Sequence, residues 1–190
     1  MIRLGILGST KGTDLQAILG AISKKKLNAE VSVVVSNKKN AYILQRAKNY
    51  KIPSYYISHK GLIRKEFDFA ITKQLKKYSV DLVLLIGFMR VLSKEFCLEW
   101  SDKILNVHPS LLPKYAGGMD RDVHEEVLKN KDFETGCTIH FVTDKLDAGP
   151  ILVQKKCAVE KGDTALTLKK KVQDLEGKAF LEAIKLIQQK

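Results

Sequence analysis

Three runs of apolar residues in the first half of the chain predict strands that are buried on both faces. The runs are Ile2 to Leu7, Val31 to Val35 and Leu82 to Ile86, and they do not show the alternation with polar residues that a half-exposed strand would have. Strands of this kind are typical of a parallel sheet whose two faces are covered by helices. The pattern therefore predicts a parallel sheet.

Helical patterns lie between these strands. Apolar residues recur at helical spacing after Thr13-Asp14, from Ala41 to Tyr50 and from Phe67 to Tyr78. Strand and helix alternate along the chain, which is the pattern of successive βαβ units.

The second half of the chain extends this unit. A fourth strand, Ile104 to His108, ends at Pro109, because proline lacks the N–H that a sheet requires, and a loop follows as far as Asp120. The remaining predicted elements are a helix from Val123 to Leu128, strands from Gly136 to Val142 and from Pro150 to Val159, and a helix from Thr164 to Gln188 capped by Asp163 or Thr164. We predict one doubly wound, Rossmann-like α/β domain over residues 1–190, with a mostly parallel sheet and helices on both faces.

Composition narrows the class of protein. The chain has 190 residues, and its 33 lysines and arginines outnumber its 21 aspartates and glutamates, which gives a net charge of +12. Such an excess points to nucleic acid, an acidic membrane surface or anionic small substrates. Three cysteines without metal-ligand spacing favour a reducing compartment and no bound metal. Because neither an export signal nor a membrane-length apolar stretch is evident, we expect a cytoplasmic protein.

The segment from Gly8 to Asp14 follows the first strand and opens a helix. Backbone N–H groups and the positive end of the helix dipole make such a turn suited to a phosphate. The segment has the glycine spacing neither of a dinucleotide-binding turn nor of a nucleoside triphosphate loop. An ordinary capped turn explains the same residues equally well.

Polar residues at the end of the fourth strand suggest acyl-transfer chemistry. Asn106 and His108 are two positions apart in a strand, so their side chains point to the same face. An amide donor and an imidazole on one face suit a reaction that develops an oxyanion and moves a proton. A carboxylate from the later turn that holds Asp144 and Asp147 would orient His108, although aspartates are also ordinary turn formers. A serine nucleophile is not indicated, since Ser110 lacks the nucleophile-elbow pattern.

Three ordered blocks of sequence resemble the phosphoribosylglycinamide formyltransferases. They are Gly87 to Leu92, Asn106 to Tyr115 and Gly136 to Pro150, and the resemblance runs over nearly the whole chain. It implies transfer of the formyl group of 10-formyltetrahydrofolate to the primary amine of glycinamide ribonucleotide, in de novo purine synthesis. It further implies small-molecule substrates, no nucleic acid partner and no membrane partner, and we expect a monomer or a homodimer.

The resemblance also implies roles for individual residues. Asn106 would donate to the formyl oxyanion, His108 would polarise the formyl group or assist proton transfer, and Asp147 would hold His108 and an ordered water. The folate would lie against Arg64, Met89, Arg90, Val91, Leu92, Thr143 and Asp144, and the ribonucleotide against Gly12, Thr13, Asp14, Gln173 and Glu176. The bond between Leu112 and Pro113 is typically cis in the family.

Two segments depart from the common family pattern. Asp14 stands where the family often has asparagine, and its carboxylate would repel a phosphate, so we expect Asp14 to cap the helix and point away. The stretch from Gly117 to His124 is longer than is common, and we place His124 on the second site histidine of the family. We interpret His140 as an ordinary strand residue.

Other functions compete with this interpretation. A methionyl-tRNA formyltransferase would explain the positive charge, but that family carries an additional carboxyl-terminal domain, which we do not expect here. A formyltetrahydrofolate deformylase normally carries an amino-terminal extension, which we also do not expect. A basic module that binds RNA is a further alternative, but few aromatic residues are interleaved with the lysines for base stacking.

Overall fold

The computed structural model describes residues 1–118 and 121–189 and contains one seven-stranded sheet. The strands are β1 (Ile2–Leu7), β2 (Ala29–Ser36), β3 (Ser54–Tyr56), β4 (Leu82–Leu85), β5 (Ile104–His108), β6 (Glu134–Phe141) and β7 (Ile151–Ala158). The helices are α1 (Thr13–Ser23), α2 (Tyr42–Asn49), α3 (Arg64–Lys77), α4 (Lys94–Glu99), α5 (Arg121–Lys129) and α6 (Ala165–Gln188). The order of strands across the sheet is β3-β2-β1-β4-β5-β6-β7.

The sheet is mostly parallel. Strands β1 to β5 pair in parallel, and β6 and β7 extend one edge through antiparallel pairing. Apolar side chains fill both faces. One core joins Leu4 of β1 to Phe180 of α6, and the other joins Val83 of β4 to Phe67 of α3. Two separate cores on opposite faces of one sheet confirm the predicted doubly wound α/β class.

The predicted elements are confirmed with small shifts in their ends, and two short elements are additional. Helix α3 begins at Arg64, three residues before the predicted start, and Thr164 is the residue that caps α6. The sequence pattern misses β3 and α4. These have three and six residues, too few to display a hydrophobic period. Within the described residues, no helix combines the length and the apolar character needed to span a membrane.

The order of the strands creates a crevice beside β1. The chain runs outward from β1 to β3 and then returns to place β4 on the other side of β1. Ligands of open α/β sheets bind outside the carboxyl ends of the strands at such a reversal. The segments that follow β1 and β4 meet at this reversal, and β5 is the next strand along.

Candidate active site

Asn106 and His140 are partners in the register of β5 and β6. Nδ1 of His140 lies 3.0 Å from the carbonyl oxygen of Phe141. A carbonyl only accepts, so Nδ1 carries the ring proton and Nε2 is an acceptor. Asn106 donates to this Nε2 from its Nδ2, over 3.1 Å. His140 therefore fixes the orientation of the Asn106 amide.

His108 is almost fully buried, and both of its ring nitrogens are engaged. Nε2 donates to the carbonyl oxygen of Tyr115 over 2.9 Å, and Nδ1 lies 3.3 Å from Oδ2 of Asp147. Burial lowers the pKa of His108 below its ordinary value, although the charge of Asp147 acts in the opposite direction. Burial and the carboxylate therefore act in opposite directions on the ring, whose Nδ1 faces Oδ2 of Asp147.

Asp147 bridges the two histidines. Its Oδ2 faces His108 and accepts the N–H of Gly117 at 2.9 Å, while its Oδ1 lies 3.5 Å from Nε2 of His140. Burial alone would raise the pKa of Asp147. Its contact with His140, the N–H that Gly117 donates and the electrostatic influence of the two imidazoles hold that pKa below its usual value. Asp147 is therefore a buried carboxylate that stays ionised.

A buried hydroxyl fixes the loop that follows β5. Oγ1 of Thr138 donates to the carbonyl oxygen of Ser110 over 2.7 Å and accepts the N–H of Leu112 over 3.0 Å. Gln154 donates from its amide to the same hydroxyl and to the carbonyl oxygen of Leu112. The bond from Leu112 to Pro113 is cis, as the resemblance implies. This loop leads directly to Tyr115, whose carbonyl holds His108.

The residues expected to hold the folate occupy three neighbouring segments. Met89 and Val91 expose 41% and 49% of their surfaces, whereas Leu92 is packed in the core with Phe67, so its side chain is not available to a ligand. Arg90 stacks on the ring of Phe67, with its guanidinium carbon 5.0 Å from the ring centroid. Arg64, Thr143 and Asp144 are exposed.

Direct contacts hold two of these segments in place. Cys97 of α4 donates from its thiol to the carbonyl oxygen of Thr143 over 3.4 Å. Asp68 of α3 accepts the N–H of Ser93, the residue that follows Leu92, over 2.6 Å. These hydrogen bonds fix the segments at Thr143 and at Leu92 to the packed helices α4 and α3.

The residues expected to hold the ribonucleotide lie on α1 and α6. Gly12, with φ of 67°, occupies the N-cap position of α1. The expectation that Asp14 caps this helix is therefore wrong. Because the helix begins at Thr13, Asp14 falls inside the first turn, where it is 4% exposed, and burial raises its pKa to about 7. The side chain of Asp14 is therefore packed inside the protein at the start of α1.

Glu176 approaches the same region from α6. Burial, and after it the charges of Glu176 and Asp14, raise the pKa of Cys137 to about 12, which places both carboxyl groups near this thiol of β6. Glu176 is 9% exposed and Gln173, one turn earlier, is half-buried. The structure therefore brings the start of α1 and the middle of α6 together.

His124 lies on α5 and is buried. The loop that precedes α5 is described as far as Gly118, and Met119 and Asp120 of the long segment lie outside the described residues. Across residues 1–118 and 121–189, no group of three or more His, Cys, Asp or Glu side chains is placed to hold a metal ion.

The sequence indicates His140 only as a strand residue, whereas the structure places it beside Asn106 and Asp147. Its signal lies in the pairing of strands, since β6 runs antiparallel beside β5 and sets His140 opposite Asn106. An antiparallel register predicted for these two segments would have found it.

Comparison with known proteins identifies the family of the chain. The formyl transferase family matches residues 2–184. The chain belongs to this family. The phosphoribosylglycinamide formyltransferase of Escherichia coli K12 is 38% identical over 172 residues, which are 90% of this chain and 80% of that protein. The resemblance inferred from the sequence is thereby confirmed.

Two further members of the formyl transferase family are informative. The trifunctional purine biosynthetic protein adenosine-3 of Gallus gallus is 41% identical over 187 residues, 98% of this chain, but the chain spans only 18% of that protein's length. The solved structure of glycinamide ribonucleotide transformylase 1 from Symbiobacterium toebii superposes with a TM-score of 0.93 at 37% identity, covering 98% of this chain and 87% of that one.

Proposed function

We propose that this chain transfers the formyl group of 10-formyltetrahydrofolate to the primary amine of glycinamide ribonucleotide, a step of purine synthesis. The observation that carries the proposal is the buried carboxylate of Asp147, which joins His108 to the pair of His140 and Asn106. The cluster lies in a chain that matches the formyl transferase family over nearly its whole length. We propose a single formyltransferase domain over residues 1–190.

Asn106 stabilises the negative charge that develops on the formyl oxygen. One N–H of its amide is held by His140, which leaves the second for the oxygen as the amine nitrogen bonds to the formyl carbon. His108 supplies a second donor when its Nε2–H, which rests on the carbonyl of Tyr115, turns to the same oxygen. Charge development in a buried site makes each such donor worth more than it would be in water.

His108 and Asp147 together accept the proton that the amine loses. In the proposed resting state the ring is uncharged and the carboxylate is ionised, so Nδ1 and Oδ2, 3.3 Å apart, can share one incoming proton. A proton taken there, relayed by a water beside Asp147, makes the buried pair neutral overall. The same proton then passes to N10 of the folate as its bond to the formyl carbon breaks, so the pair returns to its starting state.

The folate and the ribonucleotide fit different parts of the site. The exposed apolar surfaces of Met89 and Val91 suit a flat pteridine ring, and the exposed guanidinium of Arg64 suits the carboxylates of the glutamate tail. The N–H groups of Gly12 and Thr13 and the charge of Lys11 suit the phosphate. The net charge of +12 favours the approach of both anionic substrates.

Compartment and assembly form part of the proposal. All three cysteines are free thiols, which fits the reducing cytoplasm. A monomer or a homodimer stays our prediction, as does the absence of a nucleic acid or membrane partner, and sedimentation of the purified protein would decide the first.

Product analysis tests the proposed activity. Purified protein is incubated with 10-formyltetrahydrofolate and, in separate arms, with glycinamide ribonucleotide, with methionyl-tRNA or with water alone. We expect formylated ribonucleotide and stoichiometric tetrahydrofolate in the first arm only. Formyl-methionyl-tRNA, or free formate without an acceptor, would reject the proposal in favour of the corresponding alternative. Asp147→Asn is the matched inactive control.

A further inference from the structure

A buried serine lies at the point where the two proposed substrate segments meet. Ser9 is the second residue after β1 and is 4% exposed. Its hydroxyl donates to Oδ1 of Asn37 over 2.6 Å and accepts the N–H of Met89 over 2.9 Å. Its backbone N–H donates to the carbonyl oxygen of Gly87 over 3.0 Å. One residue therefore bonds to the segments that follow β2 and β4.

A second contact between the same segments is steric. Gly87 has φ of 56°, and a Cβ at this position would collide with the hydroxyl of Thr10. The backbone at Gly87 is therefore pressed against the loop that Ser9 begins. This loop leads to Gly12 and Thr13, while Gly87 leads to Met89 and the residues that follow it.

From these contacts we infer that Ser9 is a positioning residue that sets the phosphate loop, residues 10–14, and the folate segment, residues 89–92, relative to each other. The inference rests on the proposed function. Because Ser9 is buried, we expect it to touch neither substrate. Its hydroxyl holds the N–H of Met89, the first residue of the folate segment, and Ser9 itself directly precedes the phosphate loop. Loss of its hydroxyl leaves the N–H of Met89 and the amide oxygen of Asn37 without this partner inside a packed region. Both segments then relax together.

Steady-state kinetics of Ser9→Ala test this role. We expect the KM for glycinamide ribonucleotide and the KM for 10-formyltetrahydrofolate each to rise about five- to tenfold, the effect of leaving a buried donor unsatisfied. The value of kcat at saturation should stay within about twofold, because the geometry of Asn106, His108 and Asp147 does not depend on Ser9. A merely structural role would lower the melting temperature without moving both KM values.

Ser36→Ala is the matched control. Ser36 is a fully buried serine at the end of the neighbouring strand β2, and its hydroxyl makes two bonds, both to the backbone of Lys38. It joins no two substrate segments, so its loss should lower stability and leave both KM values within about twofold. Ser9→Cys, which keeps the size of the side chain and weakens its hydrogen bonds, should give a smaller rise in both KM values if Ser9→Ala fails to fold.

The outcomes separate the two proposals. A rise in both KM values for the Ser9 variants alone supports the positioning role. Unchanged KM values, a rise in only one of them, or an equal rise in Ser36→Ala would overturn it. If the wild-type protein forms no formylated ribonucleotide, the proposed function fails, and binding of tetrahydrofolate measured by calorimetry in wild type and Ser9→Ala then tests the folate half of the inference by itself.

Discussion

Nε2 of His140 lies 3.1 Å from Nδ2 of Asn106, across the register of β5 and β6. Because the other ring nitrogen of His140 is committed to the carbonyl of Phe141, the imidazole acts here as an acceptor. The amide of Asn106 is thereby held with its NH2 group toward His140. The strand pair thus orients the donor that the formyl oxygen requires.

Replacement of His140 tests this orientation. In His140→Ala we expect kcat to fall by about 10- to 100-fold, since a misplaced donor costs this much in an enclosed site, with smaller changes in either KM. The measurement is steady-state kinetics with both substrates varied. Cys137→Ala, a buried change on the opposite face of the same strand, should leave kcat within a fewfold of wild type. Equal losses in both variants would mean that His140 only supports packing.

Variants of the proton-accepting pair should lose activity without additivity. We expect Asp147→Asn and His108→Ala each to lower kcat by about two or more orders of magnitude, because each removes one half of the group that accepts the proton. The double variant should be little worse than either single one, since residues that act as a unit do not contribute independently. Single-turnover rates check this. Losses that multiply in the double variant would contradict a shared role.

The sequence supports the sheet better than it supports the site. The runs at β1, β2 and β4 are readable because a strand buried on both faces must be apolar at nearly every position. The contact of Asp147 with His108 depends on the path of the loop between β6 and β7, and no local pattern of residues predicts that path. The burial of Asp14 depends on where α1 begins, and Gly12 sets that start through a left-handed backbone conformation that glycine merely permits. His140 enters the site only through strand register.

The buried carboxyl of Asp14 predicts a pH-dependent stability. Burial raises its pKa to about 7 in the folded chain, from the ordinary value of 3.8 that the exposed group has in the unfolded chain. Well below pH 3.8 the carboxyl is protonated in both the folded and the unfolded chain, so its ionisation does not affect the free energy of unfolding. As the pH rises toward 7, the unfolded chain releases the proton first, so the contribution of Asp14 to stability declines until the folded state ionises too.

Asp14→Asn isolates this contribution, because the amide has the same shape and no charge. We expect the variant to match wild type near pH 4 and to be more stable by on the order of 2 to 4 kcal/mol at pH 8. Urea unfolding at a series of pH values measures the difference. A constant difference between the two proteins across this range would show that Asp14 does not titrate with a raised pKa.

Thr138 provides a test of how the loop after β5 is held. Its fully buried hydroxyl donates to the carbonyl oxygen of Ser110 and accepts hydrogen bonds from the N–H of Leu112 and the amide of Gln154. Thr138→Val keeps the shape and removes these bonds, so the free energy of unfolding should fall by about 2 to 3 kcal/mol. The loop carries the carbonyl of Tyr115 that orients His108, so kcat should fall as well.

Thr135→Val is the matched control on the same strand. Thr135 is also buried, but its hydroxyl has no hydrogen-bond partner among the described residues, so the same substitution removes an unsatisfied polar group. We expect its stability to be equal to or greater than that of wild type, because burying an unpaired hydroxyl is itself unfavourable. Chemical denaturation of both variants decides the matter. Similar losses in the two would show that the hydrogen bonds of Thr138 do not hold the loop, and that valine is simply disfavoured in this strand.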